Sequence, residues 1–414
     1  MTAVTQRQEL PDRFSRRCLG KKEGDRVRSS TGCMKIKYYI ELVRRMDWLL
    51  FCAMVALAVA SVLFIYSASY HGPGQPIKDF YRMQMVWFVV GLLIYLAVSF
   101  VDYRLICQWA TVWYVVAIGL LVLVLVTGQM RSGARRWLGW HGFGIQPAET
   151  AKLATLLTVS YYLFHHTLQT RRELKTVWVI IVMMAVPFML IMLEPDLGSA
   201  LVLIPMCFGL MFVAGVRVKH LALAAALGIV LAGVGLPIMW KLKENRTGHR
   251  SYQRNRLTVF FDRDYDPTGA GWNLNQSLIA VGSGGMTGKG YLQGTQNLLG
   301  YLPRSVTPND FLFSVIAEEE GFIGSVVIIL LYAVLLFSGL RIAANARDRL
   351  GMLLATGVVV MLFFHIFINV GMTIGLMPVT GLPLPLLSYG GSFVLASMTA
   401  LGLLQNVWIH RRIY

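Results

Sequence analysis

Residues 48–66 read WLLFCAMVALAVASVLFIY and carry no charged side chain. An α-helix needs about 20 apolar residues to cross the hydrocarbon core of a bilayer, and this run is close to that length. Of the 414 residues in the chain, 56% are hydrophobic and 14% are charged. Because about a quarter of the residues in a soluble domain are charged, the composition favours an integral membrane protein.

Further apolar segments separated by polar links predict an all-α membrane protein, a polytopic bundle of about ten transmembrane helices. The predicted spans are Trp48–Tyr66, Met85–Phe100, Trp109–Thr127, Glu149–Phe164, Val177–Leu193, Leu197–Gly215, Leu221–Trp240, Phe322–Ser338, Met352–Ile374 and Phe393–Ile409. An even number of spans puts both termini on one side. Because lysine and arginine cluster in alternate links and at the C-terminus, the positive-inside rule predicts that both termini are cytoplasmic.

The first 46 residues form a polar, basic leader. They lack a signal-peptide pattern, so the first span should remain as an anchor, and the segment up to Cys33 is predicted to be disordered. Met34 is an alternative start. From Ile36 to Met46 the spacing predicts either a helix on the membrane surface or a solvated helix before the first span. The domain prediction is a leader over 1–46 and a transmembrane domain over 47–414.

The formal net charge of +17 does not indicate a nucleic-acid-binding protein. Its lysines and arginines punctuate apolar runs and form no basic face on a folded unit. They suit an anionic cytoplasmic lipid surface instead. The five cysteines include no C-x-x-C pair and are predicted to be reduced and structural.

The polar link over 241–321 is too long for a simple connection and is predicted to be a large, functional extracytoplasmic loop between spans seven and eight. Its apolar segments Leu274–Val281 and Phe311–Ile316 indicate re-entrant or interfacial helices. In the last link, Pro378–Ser392, prolines and glycines forbid a continuous helix. They predict ordered irregular backbone that faces protein or water.

Within the large loop, Gly282–Gly290 is rich in glycine but is not a Walker A motif, because Ser283 and Gly290 replace residues that the motif requires. Backbone N–H groups of such a turn bind phosphate in some proteins. The stretch therefore predicts either a phosphate cradle completed by Lys289 or an ordinary tight turn.

Charged residues lie where two other links meet the membrane. Glu194 and Asp196 are predicted either to pair with an outer-loop arginine or to cap the helix that follows. Arg135 and Arg136 lie in an outer link, against the positive-inside rule. They predict either binding of an anionic group such as a phosphate or salt bridges to those carboxylates. At Gln146–Glu149, proline and glutamate are typical of a helix start.

Asp310 precedes an apolar segment at the predicted membrane boundary. A carboxylate in apolar surroundings has a raised pKa, which a general base for a sugar hydroxyl requires. The alternative is an N-cap for the following helix. Several carboxylates share the loop, so these arguments alone do not single out Asp310.

In their order along the chain, these motifs resemble the RodA/FtsW family of lipid-linked peptidoglycan glycosyltransferases. The motifs that carry the resemblance are Gly133-Ala134-Arg135-Arg136-Trp137, Gln146-Pro147-x-Glu149, Pro195-Asp196-Leu197-Gly198, Tyr252-Gln253-Arg254-x-Arg256, Gly282-Ser283-Gly284-Gly285, Gly288-Lys289-Gly290, Asp310-Phe311-x-Phe313, Glu318-Glu319-x-Gly321 and Ser388-Tyr389-Gly390-Gly391-Ser392. Gly294-Thr295-Gln296 and Tyr301-Leu302-Pro303 look more like the elongation (RodA) branch. The chain departs from the family just before Asp310. The family usually has His-Thr directly before this aspartate, whereas in this chain Arg304 to Asn309 precede it.

The resemblance implies a polymerase of lipid II, the lipid-linked disaccharide pentapeptide, with Asp310 as its catalytic residue. The substrate-binding residues that we predict with it are Arg135, Arg136, Arg254, Arg256, Lys289, Glu149, Lys152, Asp196 and Glu319. A divalent cation such as Mg²⁺ is a candidate helper for the departing pyrophosphate, although the sequence shows no metal-ligand spacing.

The resemblance also implies a place in the cytoplasmic (inner) membrane. The implied partners are a class B penicillin-binding transpeptidase and membrane proteins of the elongation complex, together with lipid II and the bilayer. Two other functions stay open: a transporter that flips lipid II, and a scaffold for cell-wall assembly without catalysis. Both explain the many spans, and they differ from the polymerase in the chemistry assigned to Asp310.

Overall fold

The computed structural model describes residues 41–70, 79–131, 134–140, 143–166, 173–247, 252–262, 266, 269–302 and 307–411. The chain divides into two units between Met46 and Asp47. In the described part of the first unit, Arg45 pairs with Glu41 at 2.5 Å. The predicted disorder up to Cys33 and the first part of the predicted helix at Ile36–Met46 lie outside the described residues.

The second unit is mostly helical, and the prediction of a polytopic helical bundle is confirmed. Its helices are α1 (Trp48–Ser69), α2 (Phe80–Phe100), α3 (Tyr103–Gln108), α4 (Ala110–Thr127), α5 (Pro147–His165), α6 (Glu173–Leu193), α7 (Leu197–Val213), α8 (Val218–Thr247), α9 (Tyr252–Phe261), α10 (Ala270–Ser283), α11 (Thr295–Leu298), α12 (Leu312–Glu319), α13 (Gly321–Ala344), α14 (Arg349–Thr373) and α15 (Gly391–His410). A small antiparallel sheet follows α4, with strands β1 (Gln129–Arg131), β2 (Ala134–Trp140) and β3 (Phe143–Ile145) in that order.

Every predicted span coincides with a helix. Within the described residues, eight helices are long and apolar enough to cross a membrane. Helix α7 is apolar but has only 17 residues, and α5, which carries Glu149 and Lys152, is not among the eight. The number of ten spans therefore stays a prediction.

Glycines let α2 and α15 pack closely. A Cβ added at Gly91 of α2 would lie 2.9 Å from Met398, and one added at Gly402 of α15 would lie 3.0 Å from the Tyr95 carbonyl oxygen. Small residues at such crossings allow helix backbones to approach in membrane proteins. The pair α14 and α15 is the most buried of the eight candidate spans, which places the centre of the bundle there.

The region predicted as a large loop holds four described helices, α9 to α12. Helices α10 and α12 cover the two short apolar segments that were predicted to be helical. Val259, Leu274, Phe311 and Val379 form a buried apolar cluster. This cluster joins α9, α10 and the start of α12 to the link between α14 and α15, so that Asp310 is held beside that link.

The link between α14 and α15 has the irregular backbone that its prolines and glycines predict. Side chains from neighbouring helices fix it. The Tyr332 hydroxyl of α13 donates to the Pro385 carbonyl at 2.6 Å, and the Ser61 hydroxyl of α1 donates to the Leu387 carbonyl at 2.6 Å. Because its polar groups are satisfied by protein, this non-helical segment can lie inside the bundle.

Candidate active site

Asp310 lies two residues before α12, next to the buried Phe311. The N-cap of α12 is Phe311, and no side chain makes a capping bond there, so the alternative of Asp310 as the N-cap is wrong. Asn369 of α14 fixes the backbone: its Nδ2 donates to the Asp310 carbonyl at 2.9 Å and to the Leu382 carbonyl at 2.6 Å. The residue is thus positioned through its main chain, which leaves its carboxylate for another role.

Burial raises the pKa of Asp310 to about 6. The positive charges of Arg256 and Arg136 partly offset the effect of burial, whereas the negative charge of Asp196 adds to it. A general base is most effective when its pKa lies near the operating pH. The carboxylate can therefore be ionised at neutral pH and still accept a proton.

Arg256 of α9 and Asp310 meet on the same side of Gly381. The Arg256 Nη1 donates to the Thr380 carbonyl at 2.8 Å. Gly381 has a φ of +74°, and a Cβ built on it would lie 2.9 Å from Arg256 Nη1 and 3.2 Å from Asp310 Oδ2. Glycine is therefore required here both for the backbone conformation and for the space that the two side chains occupy.

Arg136 of β2 also acts on Asp310, because its positive charge lowers the pKa of that carboxyl. Its Nε donates to the Glu194 carbonyl at 3.3 Å, its Nη2 donates to the Pro195 carbonyl, and its Nη1 lies 4.0 Å from Asp196 Oδ1. The predicted salt bridge between an outer-link arginine and Asp196 is thus present, although its N–O distance is long for an ion pair. The guanidinium is held in place mostly by carbonyl groups, which do not neutralise its charge.

Asp196 is also the N-cap of α7, so the two alternatives for this residue hold together. Its Oδ1 accepts from the Ser199 backbone N–H at 3.2 Å, and its Oδ2 accepts from the Ser199 hydroxyl at 3.0 Å and from Gln146 Nε2 at 2.9 Å. These bonds tie the start of α5 to the start of α7. The oxygens of Asp196 are thus occupied by donors of the chain, and its role as a substrate ligand stays a prediction.

Glu194 is buried beside Asp196 and Arg136, and burial raises its pKa to about 8. The negative charge of Asp196 adds to this rise, and the positive charge of Arg136 opposes it. Neither carboxyl oxygen has a hydrogen-bond partner among the described residues. The side chain is therefore protonated at neutral pH, and it does not compete for Arg136.

Glu149 and Lys152 lie deeper, between α5 and α14. Lys152 Nζ is 2.8 Å from Glu149 Oε1 and 2.7 Å from His365 Nε2, and all three side chains are buried. His365 Nδ1 lies 2.8 Å from the Met361 carbonyl, which fixes the proton on Nδ1 and leaves Nε2 to accept from the ammonium. The contacts of Glu149 and Lys152 are thus with each other and with α14. Substrate binding by them stays a prediction.

The Gly-rich stretch packs on the end of α12, which accepts two of its backbone N–H groups. The backbone N–H groups of Lys289 and Gly290 donate to the Glu318 and Glu319 carbonyls at 3.0 and 2.9 Å. The Lys289 ammonium lies 2.6 Å from Glu318 Oε1 and 2.7 Å from the Thr295 hydroxyl. These bonds favour the tight turn over the phosphate cradle, because they occupy the Lys289 ammonium and two backbone donors that a cradle would need.

Glu319 faces α1, where its Oε1 accepts from the Ser67 hydroxyl at 2.5 Å. Burial raises its pKa to about 7; the hydrogen bonds from Ser67 and from the Leu292 backbone oppose this rise, and the neighbouring acidic residues add to it. Its bond to Ser67 connects the loop to the bundle, whereas the bonds of Lys289 stay within the loop. Substrate binding by Glu319 and by Lys289 stays a prediction.

Two predicted arginines remain. Arg135 is paired with Met130 in the register of β1 and β2, and its side chain lies outside the described part of the chain. Arg254 is half-buried on α9, two residues before Arg256, so the two side chains point to different sides of the helix. Their roles as substrate ligands stay predictions.

The structure thus brings together Asp310, Arg256, Arg136 and Asp196 of the predicted set. Sequence reasoning missed Asn369 and His365, although both are polar residues within an apolar span, a signal of function or of specific packing. It also missed Gly381, whose conformation only coordinates show.

Residues 47–413 match the family of cell cycle proteins that comprises FtsW, RodA and SpoVE. The peptidoglycan glycosyltransferase MrdB of Escherichia coli (strain K12) is 36% identical over 359 residues, which cover 87% of this chain and 92% of the relative. The peptidoglycan glycosyltransferase RodA of Treponema pallidum (strain Nichols) is 34% identical and covers 87% of this chain and 97% of its own length.

Solved structures agree with these relatives. A chain of a peptidoglycan synthase complex, studied for the coordination of polymerization and crosslinking, superposes with a TM-score of 0.73 at 29% identity, covering 89% of this chain and 99% of its own. The crystal structure of the rod shape determining protein RodA of Thermus thermophilus superposes with a TM-score of 0.65 at 28% identity, covering 89% and 98%. The sequence match and the shared architecture establish that this chain belongs to the FtsW/RodA/SpoVE family of cell cycle proteins.

Proposed function

We propose that this chain is a peptidoglycan glycosyltransferase that polymerises lipid II into glycan strands at the outer face of the cytoplasmic membrane during cell elongation. Its relatives carry the name of this activity at 34–36% identity. The observation that carries the proposal is the buried carboxylate of Asp310, which lies beside Arg256 at Gly381. Burial raises its pKa to about 6, and the charges of Arg256 and Arg136 oppose this rise.

In the proposed reaction, Asp310 accepts the proton of the 4-hydroxyl on the acceptor's terminal N-acetylglucosamine. The hydroxyl oxygen then bonds to the anomeric carbon of N-acetylmuramic acid on the donor. The bond from that carbon to the pyrophosphate breaks, and lipid pyrophosphate leaves with the electron pair. A base held in this position contributes about 10²–10⁴ in rate in known enzymes.

Arg256 and Arg136 are proposed to bind the pyrophosphate and to stabilise the charge that develops on it. Both guanidinium groups are held by backbone carbonyl oxygens, at Thr380 and at Pro195. Fixed donors of this kind stabilise a transition state without having to reorganise. Guanidinium groups suit a ligand such as pyrophosphate, because they can donate two parallel N–H bonds to phosphate oxygens.

The proposed steps use side chains of the chain, and Mg²⁺ stays a candidate helper for the departing pyrophosphate. In the described part of the chain, no three His, Cys, Asp or Glu side chains are grouped as ligands. The arginines already supply positive charge where the pyrophosphate would depart.

The proposed placement puts both termini in the cytoplasm and the α9–α12 region outside. The basic links after alternate spans support it through the positive-inside rule. We propose a class B penicillin-binding transpeptidase as the partner, together with the membrane proteins of the elongation complex. The similarity to a chain of a synthase complex that couples polymerization and crosslinking supports a transpeptidase partner.

The test is a reconstitution of the full chain with its transpeptidase partner in vesicles that contain lipid II. We expect glycan strands on a denaturing gel. Fluorescent lipid II that crosses the bilayer without forming strands would support the transporter and contradict the polymerase. In cells, an Asp310→Ala variant that restores growth and rod shape as well as the wild-type chain would support the scaffold.

A further inference from the structure

We propose that a cavity at the connection between α13 and α14 binds the phosphate headgroup of an anionic phospholipid. The cavity has a volume of about 530 Å³ and is lined by Val213, Ala343, Arg347, Arg349, Met352 and Thr356 among others. Ligand sites commonly fall between about 300 and 1,000 Å³. None of its lining residues belongs to the candidate active site.

Arg349 supplies a fixed positive charge on the wall of this cavity. Its Nη2 donates to the Ala214 carbonyl at the end of α7, at 2.7 Å, which orients the planar group. A guanidinium carries five N–H donors, so this bond leaves donors for a phosphate. Arg347, two residues earlier, lines the same cavity and is exposed.

Asp348 lies between these arginines, and its negative charge is paired with another residue, so it does not repel a bound anion. Its Oδ2 accepts from Arg104 at 2.8 Å, and its Oδ1 accepts from the Tyr103 hydroxyl at 2.9 Å and from the Gly351 backbone N–H at 2.8 Å. The Arg104 charge compensates that of Asp348. Asp348 is therefore paired with Arg104, and the positive charge of Arg349 faces the cavity with that of Arg347 on the same wall.

The position of the cavity favours a lipid over a soluble anion. It lies where the apolar span α13 ends at Ala344 and the apolar span α14 begins at Arg349, which is the depth of lipid headgroups. Its walls include apolar Val213 and Met352, and the nearby Phe212 is exposed on the outer surface of α7. An acyl chain can follow this surface while the phosphate meets the arginines.

The test is native mass spectrometry of the purified full-length chain with added phosphatidylglycerol or phosphatidylcholine. We expect phosphatidylglycerol to bind more tightly, and Arg347→Gln to weaken it about fivefold, the effect of one cation at a lipid surface. Arg349→Gln should weaken it similarly. Lys219→Gln is the matched control, because Lys219 is an exposed cation of α8 that does not line the cavity.

Ala344→Phe provides a second variant that narrows the cavity and keeps both charges, and it should also reduce the bound lipid. Equal binding of the two lipids, or binding unchanged in both Arg347→Gln and Ala344→Phe, would overturn the proposal. If inorganic phosphate alone binds with the same dependence on the arginines and phosphatidylglycerol does not, the site takes free phosphate and the lipid assignment is wrong.

Discussion

Replacing Gly381 with alanine tests whether the space between Arg256 and Asp310 matters for catalysis. The φ of +74° at this residue costs a non-glycine residue roughly 1–2 kcal/mol. The added Cβ would also lie 2.9 Å from Arg256 Nη1 and 3.2 Å from Asp310 Oδ2, closer than ordinary contact. The guanidinium must move by a few tenths of an ångström, and we expect polymerisation to slow by about tenfold, since misplacement of about 1 Å can cost 100-fold.

Gly285→Ala is the matched control. Gly285 has a φ of +58°, and a Cβ there would meet nothing within 4 Å. Both variants should lose similar stability in thermal unfolding, because the backbone cost is the same. Only Gly381→Ala should also polymerise more slowly, measured as the rate of glycan formation from lipid II. If the two variants polymerise at equal rates, the proposed arrangement around Gly381 does not contribute to catalysis.

Three further predictions concern titration and buried charge. The polymerisation rate should fall about tenfold per pH unit below about pH 6, as Asp310 becomes protonated; Arg256→Gln should shift this limb to higher pH, because Arg256 lowers that pKa. Glu194 is protonated in the folded chain up to about pH 8, so thermal stability should fall between about pH 5 and 8 in the wild type and less in Glu194→Gln. Lys152→Ala leaves Glu149 buried without its cation and should destabilise the chain by about 3–5 kcal/mol, whereas adding Glu149→Gln should restore part of the loss.

The spans were predictable because burial in lipid demands long apolar runs. Apolar residues at 48–66 leave few alternatives to a membrane helix. The pairing of Arg136 with Asp196 could also be anticipated, since a charge at the membrane boundary needs a partner. The sheet β1–β3 was not predicted, because strands of 3–7 residues give too short a pattern to recognise.

Contacts between distant parts of the chain could not be predicted from one sequence. Lys152 and His365 are 213 positions apart and still lie 2.7 Å from each other. The surroundings of Lys289 could not be predicted for a related reason. Its Gly-rich neighbours have the composition of a phosphate-binding turn, but the backbone N–H groups of Lys289 and Gly290 donate to the end of α12, and only the tertiary fold shows that α12 lies there.

The most direct measurement of the central claim is the rate at which purified Asp310→Asn, with its partner, converts lipid II to glycan strands. Asparagine keeps the shape of the side chain and removes its ability to accept a proton. We expect a loss of at least about 100-fold in rate with lipid II binding nearly unchanged, while Asp262→Asn, at the exposed end of α9, polymerises normally. An Asp310→Asn protein that polymerises at the wild-type rate would contradict the assignment of Asp310 as the base.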